Sequence, residues 1–226
     1  MRRKITEYNS RRDGNIGDGM RGKFVTFEGC EGVGKSTQVR LLREYLEKNG
    51  KDAIFTREPG GTAVCEAIRK IILNPDFGEM CPKTEAFLYA ASRAQLVHEV
   101  IIPALTEGRT VFCDRFYDSS FAYQGIARGQ GADMIEEINA IAMEGAVPDL
   151  TIFLDLDPVI AFERKGGRDA GDRMENEKID FHKKVYEGSR IAAERYADRF
   201  VCIKPVGSKY DTHGKIVELL KERGII

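Results

Sequence analysis

The feature that most constrains this chain of 226 residues is a glycine-rich segment, Gly29–Ser36, with the sequence GCEGVGKS. It fits the pattern G-x-x-x-x-G-K-[ST] and lies between an apolar run that predicts a strand and an amphipathic run that predicts a helix. In that context the backbone N–H groups of the loop and the N-terminus of the helix point toward phosphate oxygens. The segment is therefore predicted to be a P-loop within an α/β fold.

The P-loop predicts a nucleoside triphosphate with Mg²⁺ as the cofactor. Lys35 is expected to reach the β and γ phosphates, and the Ser36 hydroxyl is expected to bind Mg²⁺. A second apolar strand ends in Asp114, whose carboxylate could hold a water bound to Mg²⁺, although many strands end in aspartate for structural reasons. The predicted triphosphate-binding residues are Gly29, Cys30, Glu31, Gly32, Val33, Gly34, Lys35, Ser36 and Thr37.

Short β-rich runs alternate with helical periods along the chain. The predicted strands are Lys23–Phe27, Ala53–Thr56, Thr110–Asp114, Leu150–Asp155 and Phe200–Ile203. The predicted helices are Lys35–Lys48, Thr62–Leu73, Thr84–Glu107, Ser119–Tyr123, Asp133–Glu144, Pro158–Lys165, Glu177–Ala197 and Tyr210–Arg223. This alternation favours a five-stranded parallel sheet of the P-loop NTPase type with helices on both faces, which binds ligands at the carboxyl ends of its strands.

Composition limits the possible partners and location. Lys and Arg total 35 and Asp and Glu total 36, so a net charge of −1 gives no general electrostatic attraction to nucleic acid. Apolar runs such as Val100–Leu105 are far shorter than the ~20 residues that cross a bilayer, which favours a cytoplasmic protein without a membrane partner. Residues 1–19 are rich in Arg, Asn, Asp and Gly and are predicted to be a disordered tail before a single domain over 20–226.

Five cysteines are present, without C-x-x-C spacing, so a disulfide framework and a structural zinc site are not expected. Cys113 and Cys202 lie within apolar strands. They are therefore predicted to be small, reduced core residues.

Two classes of P-loop protein can be compared on further residues. A GTPase would need an N-K-x-D or T-K-x-D segment, and the corresponding segment, Lys204–Lys209, has no carboxylate to bind guanine. A small-molecule kinase needs arginines for the acceptor phosphate, and Arg57 and Arg115 each end a strand at the ligand edge. The glycine-rich loop after Lys165 carries Arg168 and Arg173 and is predicted to be a short lid, over about 166–175, that closes over the site. The small-molecule kinase is therefore favoured.

Several segments together resemble the signatures of the thymidylate kinase family, from about Met20 to the end of the chain. They are Phe27-Glu28-Gly29, Arg57-Glu58-Pro59-Gly60-Gly61, Ala90-Ala91-Ser92-Arg93-Ala94-Gln95, Asp114-Arg115-Phe116, Ser119-Ser120-Phe121-Ala122-Tyr123-Gln124-Gly125 and Pro148-Asp149-Leu150 with Leu154-Asp155. The resemblance implies transfer of the γ-phosphoryl of ATP to dTMP, which gives dTDP for dTTP synthesis, in a homodimer.

The resemblance also implies roles for individual residues. Glu31 would bear on the 3′-hydroxyl, and Arg115 would bind the acceptor phosphate. Arg93 would donate to a thymine carbonyl, and Tyr89, on the same helix face, would stack on the ring. Ser120 would bond the polar edge of the base, and Tyr123 would crowd the sugar 2′ position. The full predicted dTMP site is Glu31, Arg57, Glu58, Pro59, Tyr89, Arg93, Arg115, Ser120, Tyr123 and Gln124.

The sequence also departs from some members of the family. Cys30, Glu31 and Val33 supply no cation within the P-loop, so a catalytic arginine is expected in the lid, with Arg168 as the best match and Arg173 as a second. The predicted catalytic residues are Lys35, Arg115, Arg168 and Arg173. Two alternatives remain: a kinase for another pyrimidine nucleotide or a deoxynucleoside, and a P-loop module that binds nucleotide without transferring phosphate.

Overall fold

A computed structural model describes residues 21–164 and 171–226. The predicted tail over residues 1–19 and the part of the predicted lid that carries Arg168 lie outside these residues. Within the described part of the chain, no helix is long and apolar enough to span a membrane.

Five parallel strands form one sheet, as predicted. They are β1 (Phe24–Glu28), β2 (Ala53–Arg57), β3 (Thr110–Asp114), β4 (Leu150–Leu154) and β5 (Phe200–Ile203), in the spatial order β2-β3-β1-β4-β5. Every residue of β1 and of β4 is buried, because these strands have neighbours on both sides and helices on both faces. Each strand agrees with its prediction to within one residue at either end.

Helices connect the strands and cover both faces of the sheet. They are α1 (Lys35–Lys48), α2 (Ala63–Leu73), α3 (Pro82–Leu96), α4 (Ile102–Thr106), α5 (Tyr117–Ser120), α6 (Ala132–Met143), α7 (Pro158–Arg164), α8 (Ile179–Arg195) and α9 (Lys209–Glu222). One core cluster packs Leu42 and Leu46 of α1 and Leu220 of α9 against Phe27 and Ile152. A second cluster packs α4 and the segment between α3 and α4 against the opposite face of the sheet. The predicted arrangement, a sheet with helices on both faces, is therefore confirmed.

The long helix predicted over Thr84–Glu107 is not continuous. It divides into α3, a π-helical turn over Val97–Ile101 and α4. Pro103 lies in the first turn of α4, and its ring cannot donate a backbone hydrogen bond to the preceding turn. Prolines and π-helical turns are both features at which long helices bend or are interrupted.

A second π-helical turn, Phe121–Ala127, replaces the end of the helix predicted over Ser119–Tyr123. This turn packs closely on α8 at Gly188, where an added Cβ would lie 2.9 Å from the Cα of Ala122. The turn carries Tyr123 and Gln124, and α5 before it carries Ser120. Three residues of the predicted dTMP site thus lie in one short segment that α8 holds in place.

The prediction for the two strand cysteines is correct for one of them. Cys113 is buried in β3, at the interior of the sheet. Cys202 is exposed, because β5 is an edge strand and one of its faces is left partly uncovered. An apolar run alone cannot distinguish an edge strand from a central one.

Candidate active site

The P-loop, Gly29–Ser36, connects β1 directly to α1 at the carboxyl edge of the sheet. Gly34 immediately precedes α1 with a φ of 100°, a conformation that residues with a side chain rarely adopt. At Gly29, where φ is 145°, an added Cβ would lie 3.0 Å from the carbonyl oxygen of Leu154. These two glycines let the loop curve tightly above β1 and β4.

The Lys35 side chain lies inside this curve and is only 7% exposed. Its Nζ donates to the carbonyl oxygens of Gly29, at 2.9 Å, and Cys30, at 3.0 Å. Burial, together with the positive charge of Arg115, lowers the pKa of the ammonium group below its usual value. The lysine is therefore held at the centre of the loop, where the predicted phosphate contacts would be made.

Ser36 and Asp114 lie next to each other, as the magnesium prediction requires. Ser36 Oγ is 3.5 Å from Asp114 Oδ2. The second carboxylate oxygen, Asp114 Oδ1, is buried and has no hydrogen-bond partner among the described residues. A hydroxyl and a carboxylate are hard oxygen ligands of the kind that Mg²⁺ prefers, and the buried oxygen could bond a magnesium-bound water. These residues fit a Mg²⁺ site.

Arg115, the residue after β3, connects the P-loop with the neighbouring cavity. Its backbone adopts a φ of 68°, which is strained for a residue other than glycine. Its guanidinium donates to Glu31 Oε1 at 2.9 Å and to Ser119 Oγ at 3.2 Å, and lies 5.4 Å from the centre of the Tyr123 ring. A strained backbone held by several contacts is typical of a functional position. The contact with Glu31 holds the positive charge of Arg115 next to the P-loop.

Glu28, the last residue of β1, is a buried carboxyl that belongs to one of the family-like segments but was given no predicted role. It accepts hydrogen bonds from the Phe116 backbone N–H, at 2.8 Å, and from the Ser119 hydroxyl. Burial, with a smaller contribution from the Asp118 carboxylate, raises the pKa of Glu28 to about 7. Its contacts hold the turn that follows Arg115 and thereby help to place the arginine.

A cavity opens beside the P-loop, and we call it the Arg93 cavity. It collects residues from the P-loop, the turn after β2, the helices α2 and α3, and the segment after β3, together with residues before and within α8. Its lining includes Glu31, Glu58, Pro59, Arg69, Leu73, Tyr89, Arg93, Arg115, Phe116, Ser119, Ser120, Tyr123, Gln124, Asp172, Met174, Glu175 and His182. Nine of the ten residues predicted for the dTMP site are in this set.

The tenth, Arg57, is not in the lining. Its guanidinium bonds Glu66 Oε1 at 2.7 Å at the surface, with the side chain 53% exposed. Arg69 of α2 lines the cavity and donates to the Pro59 carbonyl at 2.8 Å. Arg69 was not among the predicted site residues, although the helical period of α2 places it on the face opposite the exposed residues of that helix.

Arg93 is the largest fully buried side chain in the described residues, with 1% exposure. Its Nε donates to Glu58 Oε2 at 2.9 Å, its Nη2 bonds the same oxygen, and its Nη1 donates to Ser120 Oγ at 3.1 Å and to Asn139 Oδ1. Burial raises the pKa of Glu58 in spite of the opposing charge of Arg93. This network fixes the guanidinium at the wall of the cavity.

Tyr89 lies one helical turn before Arg93 on the same face of α3, as the spacing predicts. Burial raises the pKa of Tyr89 well above its usual value and that of Tyr123 to about 12, so both phenols are neutral. The two rings therefore offer flat, uncharged surfaces to whatever the cavity binds.

The two predicted lid arginines have different outcomes. Arg168 lies outside the described residues. Arg173 is bound away from the Arg93 cavity: its Nη2 pairs with Glu85 Oε2 at 2.7 Å and its Nε donates to the Ile72 carbonyl at 2.7 Å. The side chain is only 9% exposed. In this structure a buried carboxylate therefore holds Arg173, and its catalytic role stays a prediction.

Comparisons with known proteins identify relatives of this chain. The family model described as thymidylate kinase matches residues 27–216. The chain is 47% identical over 203 residues to thymidylate kinase from Thermoanaerobacter pseudethanolicus, covering 90% of this chain and 99% of the relative. It is 50% identical over 192 residues to that from Geobacillus sp. strain WCH70, covering 83% and 91%.

A solved structure supports the same relationship at the level of the fold. The crystal structure of thymidylate kinase from Ehrlichia chaffeensis is similar with a TM-score of 0.72 and 29% sequence identity, covering 89% of this chain and 99% of that one. The family model spans the P-loop, the strand that ends in Asp114 and all the residues that line the Arg93 cavity. This chain therefore belongs to the thymidylate kinase family.

Proposed function

We propose that this protein transfers the γ-phosphoryl group of ATP to dTMP and forms dTDP. The observation that carries the proposal is the position of Arg115. It bonds Glu31 of the P-loop and lies over Tyr123 of the Arg93 cavity, so one cation faces both the phosphate loop and the adjoining cavity. A donor phosphate on the P-loop and an acceptor phosphate in the cavity would meet there.

The reaction then requires positioning and charge stabilisation rather than covalent catalysis. Lys35 would bind the β and γ phosphates, and Arg115 would hold the phosphate of dTMP in line with the γ phosphorus. Mg²⁺, held by Ser36 and through water by Asp114, would neutralise charge on the β and γ oxygens. The acceptor phosphate is already an anion, so no residue has to remove a proton from it.

The opposite end of the cavity would hold the base. Arg93 and Ser120 would bond its polar edge, Tyr89 would stack on its face, and Tyr123 would lie beside the sugar. Glu58 and Pro59 complete the wall, and Glu31 would accept from the 3′-hydroxyl. Arg69 would supply a further positive charge.

For the catalytic arginine of the lid, Arg168 stays our proposal on the strength of the family resemblance, with Arg173 second.

A coupled assay of ADP release tests the function against its alternatives. We expect the highest kcat/KM with dTMP, and lower values with dUMP, UMP, CMP and thymidine. A higher kcat/KM with another acceptor would identify that acceptor, and not dTMP, as the preferred substrate. ATP binding without acceptor-dependent ADP release would favour a nucleotide-binding module instead.

Replacing Lys35 with methionine tests the P-loop assignment. Methionine keeps the side-chain length but removes the charge, so we expect kcat to fall about 10²–10³-fold. Lys35→Arg keeps a cation and should retain more of the activity. Turnover near that of the wild type in a folded Lys35→Met variant, checked by thermal unfolding, would exclude the assigned role.

We also propose that the protein is a homodimer. Helix α3 packs between α2 and α6, and the three helices expose large apolar side chains: Val64, Ile71, Phe87 and Ile141. An apolar face of this kind is typical of a protein interface. Sedimentation equilibrium would test this proposal.

The cytoplasmic location, the single domain over 20–226 and the lack of nucleic-acid and membrane partners stay predictions.

A further inference from the structure

Glu85 is a buried carboxylate next to the Arg93 cavity to which the proposed reaction gives no role. It lies on α3 one helical turn before Tyr89 and two turns before Arg93, on the same helix face, and is 1% exposed. Its Oε1 accepts from Gln124 Nε2 at 2.9 Å, and its carboxylate pairs with Arg128 at 3.2 Å and Arg173 at 2.7 Å.

The partners of Glu85 keep it ionised. Burial alone would raise its pKa, but the hydrogen bond from Gln124 and the charges of Arg128 and Arg173 outweigh burial and lower the pKa. An ionised carboxylate can only accept hydrogen bonds. The amide nitrogen of Gln124 must therefore face Glu85, because the opposite orientation would bring two oxygens together.

This orientation decides what Gln124 offers to the cavity. Gln124 is 1% exposed and lines the Arg93 cavity, and with its nitrogen committed to Glu85 its carbonyl oxygen is the group left for a ligand. Arg93 offers the complementary group. Glu58, Ser120 and Asn139 take up four of its five N–H groups, so one Nη2 hydrogen is left within the described residues.

A donor and an acceptor side by side match one kind of pyrimidine edge. Thymine and uracil present a carbonyl at C4 and an N–H at N3, which would pair with the remaining Nη2 hydrogen of Arg93 and the carbonyl oxygen of Gln124. Cytosine presents an amino group at C4 and a bare acceptor at N3, so both contacts would oppose like groups. Unpaired polar groups in a buried site are the strongest source of such discrimination.

We propose that Glu85 is a positioning residue that fixes the orientation of the Gln124 amide and thereby makes the acceptor site reject cytosine nucleotides. The proposal rests on the proposed dTMP kinase function. It gives a physical reason for a carboxylate, rather than an apolar residue, at this buried position of α3.

Glu85→Gln tests the proposal, with kcat/KM measured for dTMP and for dCMP. A neutral amide at position 85 can donate or accept, so Gln124 can turn over without placing two oxygens together. We expect the dTMP-to-dCMP ratio of kcat/KM to fall about 10-fold, mainly through KM, since the base is remote from the transferred phosphoryl. Arg128→Gln removes a charge from the same cluster but keeps the carboxylate, so its ratio should stay within about 2-fold of the wild type.

A second variant covers the case in which Glu85→Gln does not fold. Gln124→Leu removes the carbonyl oxygen and should also lower the ratio, and adding Glu85→Gln to it should lower the ratio no further. An unchanged ratio in either single variant, or a wild type that uses dTMP and dCMP equally well, would overturn the proposal. A wild type that phosphorylates dCMP but not dTMP would overturn the proposed function itself.

Discussion

Replacing Arg93 with alanine is expected to destabilise the fold by about 3–5 kcal/mol, in addition to weakening dTMP binding. The substitution leaves Glu58 buried, with 3% side-chain exposure, and without the guanidinium that bonds it. It also removes donors from Ser120 and Asn139. Urea unfolding, followed at several pH values, measures the loss.

The pH dependence identifies the cause of this loss. Burial raises the pKa of Glu58 above its value in the unfolded chain, and removal of Arg93 should raise it further. Stability contributed by a carboxyl with a raised pKa is fully present below the unfolded pKa and is lost as the pH rises through the folded pKa. The destabilisation should therefore be larger at pH 8 than at pH 5.

A double variant serves as the control. In Arg93→Ala with Glu58→Gln, position 58 carries no charge, so the loss of stability between pH 5 and pH 8 that Glu58 causes in Arg93→Ala should be absent from the double variant. If Arg93→Ala is as stable as the wild type at pH 8, the buried pair does not stabilise the fold and Arg93 acts on the ligand alone.

The strands could be predicted because each is a short β-rich run that ends near a turn residue. The P-loop strand and β3 could be placed at one edge of the sheet because parallel strands share their carboxyl ends. The interruptions of the helices could not be predicted in the same way. The first π-helical turn lies within a continuous predicted helix, where Pro103 was a local signal, and the second begins within a predicted helix and continues past its predicted end at Tyr123.

The residues that support the site were harder to predict than those that line it. Asp118 accepts two hydrogen bonds from Arg199, 81 residues away, and one from Thr151, which in turn pairs with Thr26 across β1 and β4. Thr26 and Arg199, the two ends of this network, belong to no sequence motif. Such pairs depend on which helices and strands become neighbours, and spacing along one element does not give that information.

Arg57 shows what sequence position leaves open about a side chain. A strand-end arginine beside a P-loop favoured contact with the acceptor phosphate, but a side chain of that length can also turn outward. In this structure it pairs with Glu66, and Arg69, twelve residues later, lines the cavity. Sequence position located the edge of the sheet but not the direction of the side chain.

Replacing Arg115 with methionine is expected to lower kcat/KM for dTMP about 10³-fold, the lower end of the range for arginines that stabilise phosphoryl transfer. Methionine keeps an apolar side chain beside Tyr123. Like arginine it has an unbranched side chain with a Cβ, so the positive φ at position 115 costs no more than it does in the wild type. The loss should appear in kcat as well as in KM, because charge on the transferring phosphoryl group develops beside the guanidinium.

The pair between Arg115 and Glu31 provides the decisive comparison. If Arg115 only neutralised Glu31, then Arg115→Met with Glu31→Gln would recover most of the activity, since no carboxylate would be left without its cation. If Arg115 acts on the phosphates, the double variant should be at least as impaired as Arg115→Met alone, because the positive charge between the P-loop and the Arg93 cavity is still missing. Steady-state kinetics of the wild type, the two single variants and the double variant therefore separates a catalytic arginine from one that only balances a neighbouring charge.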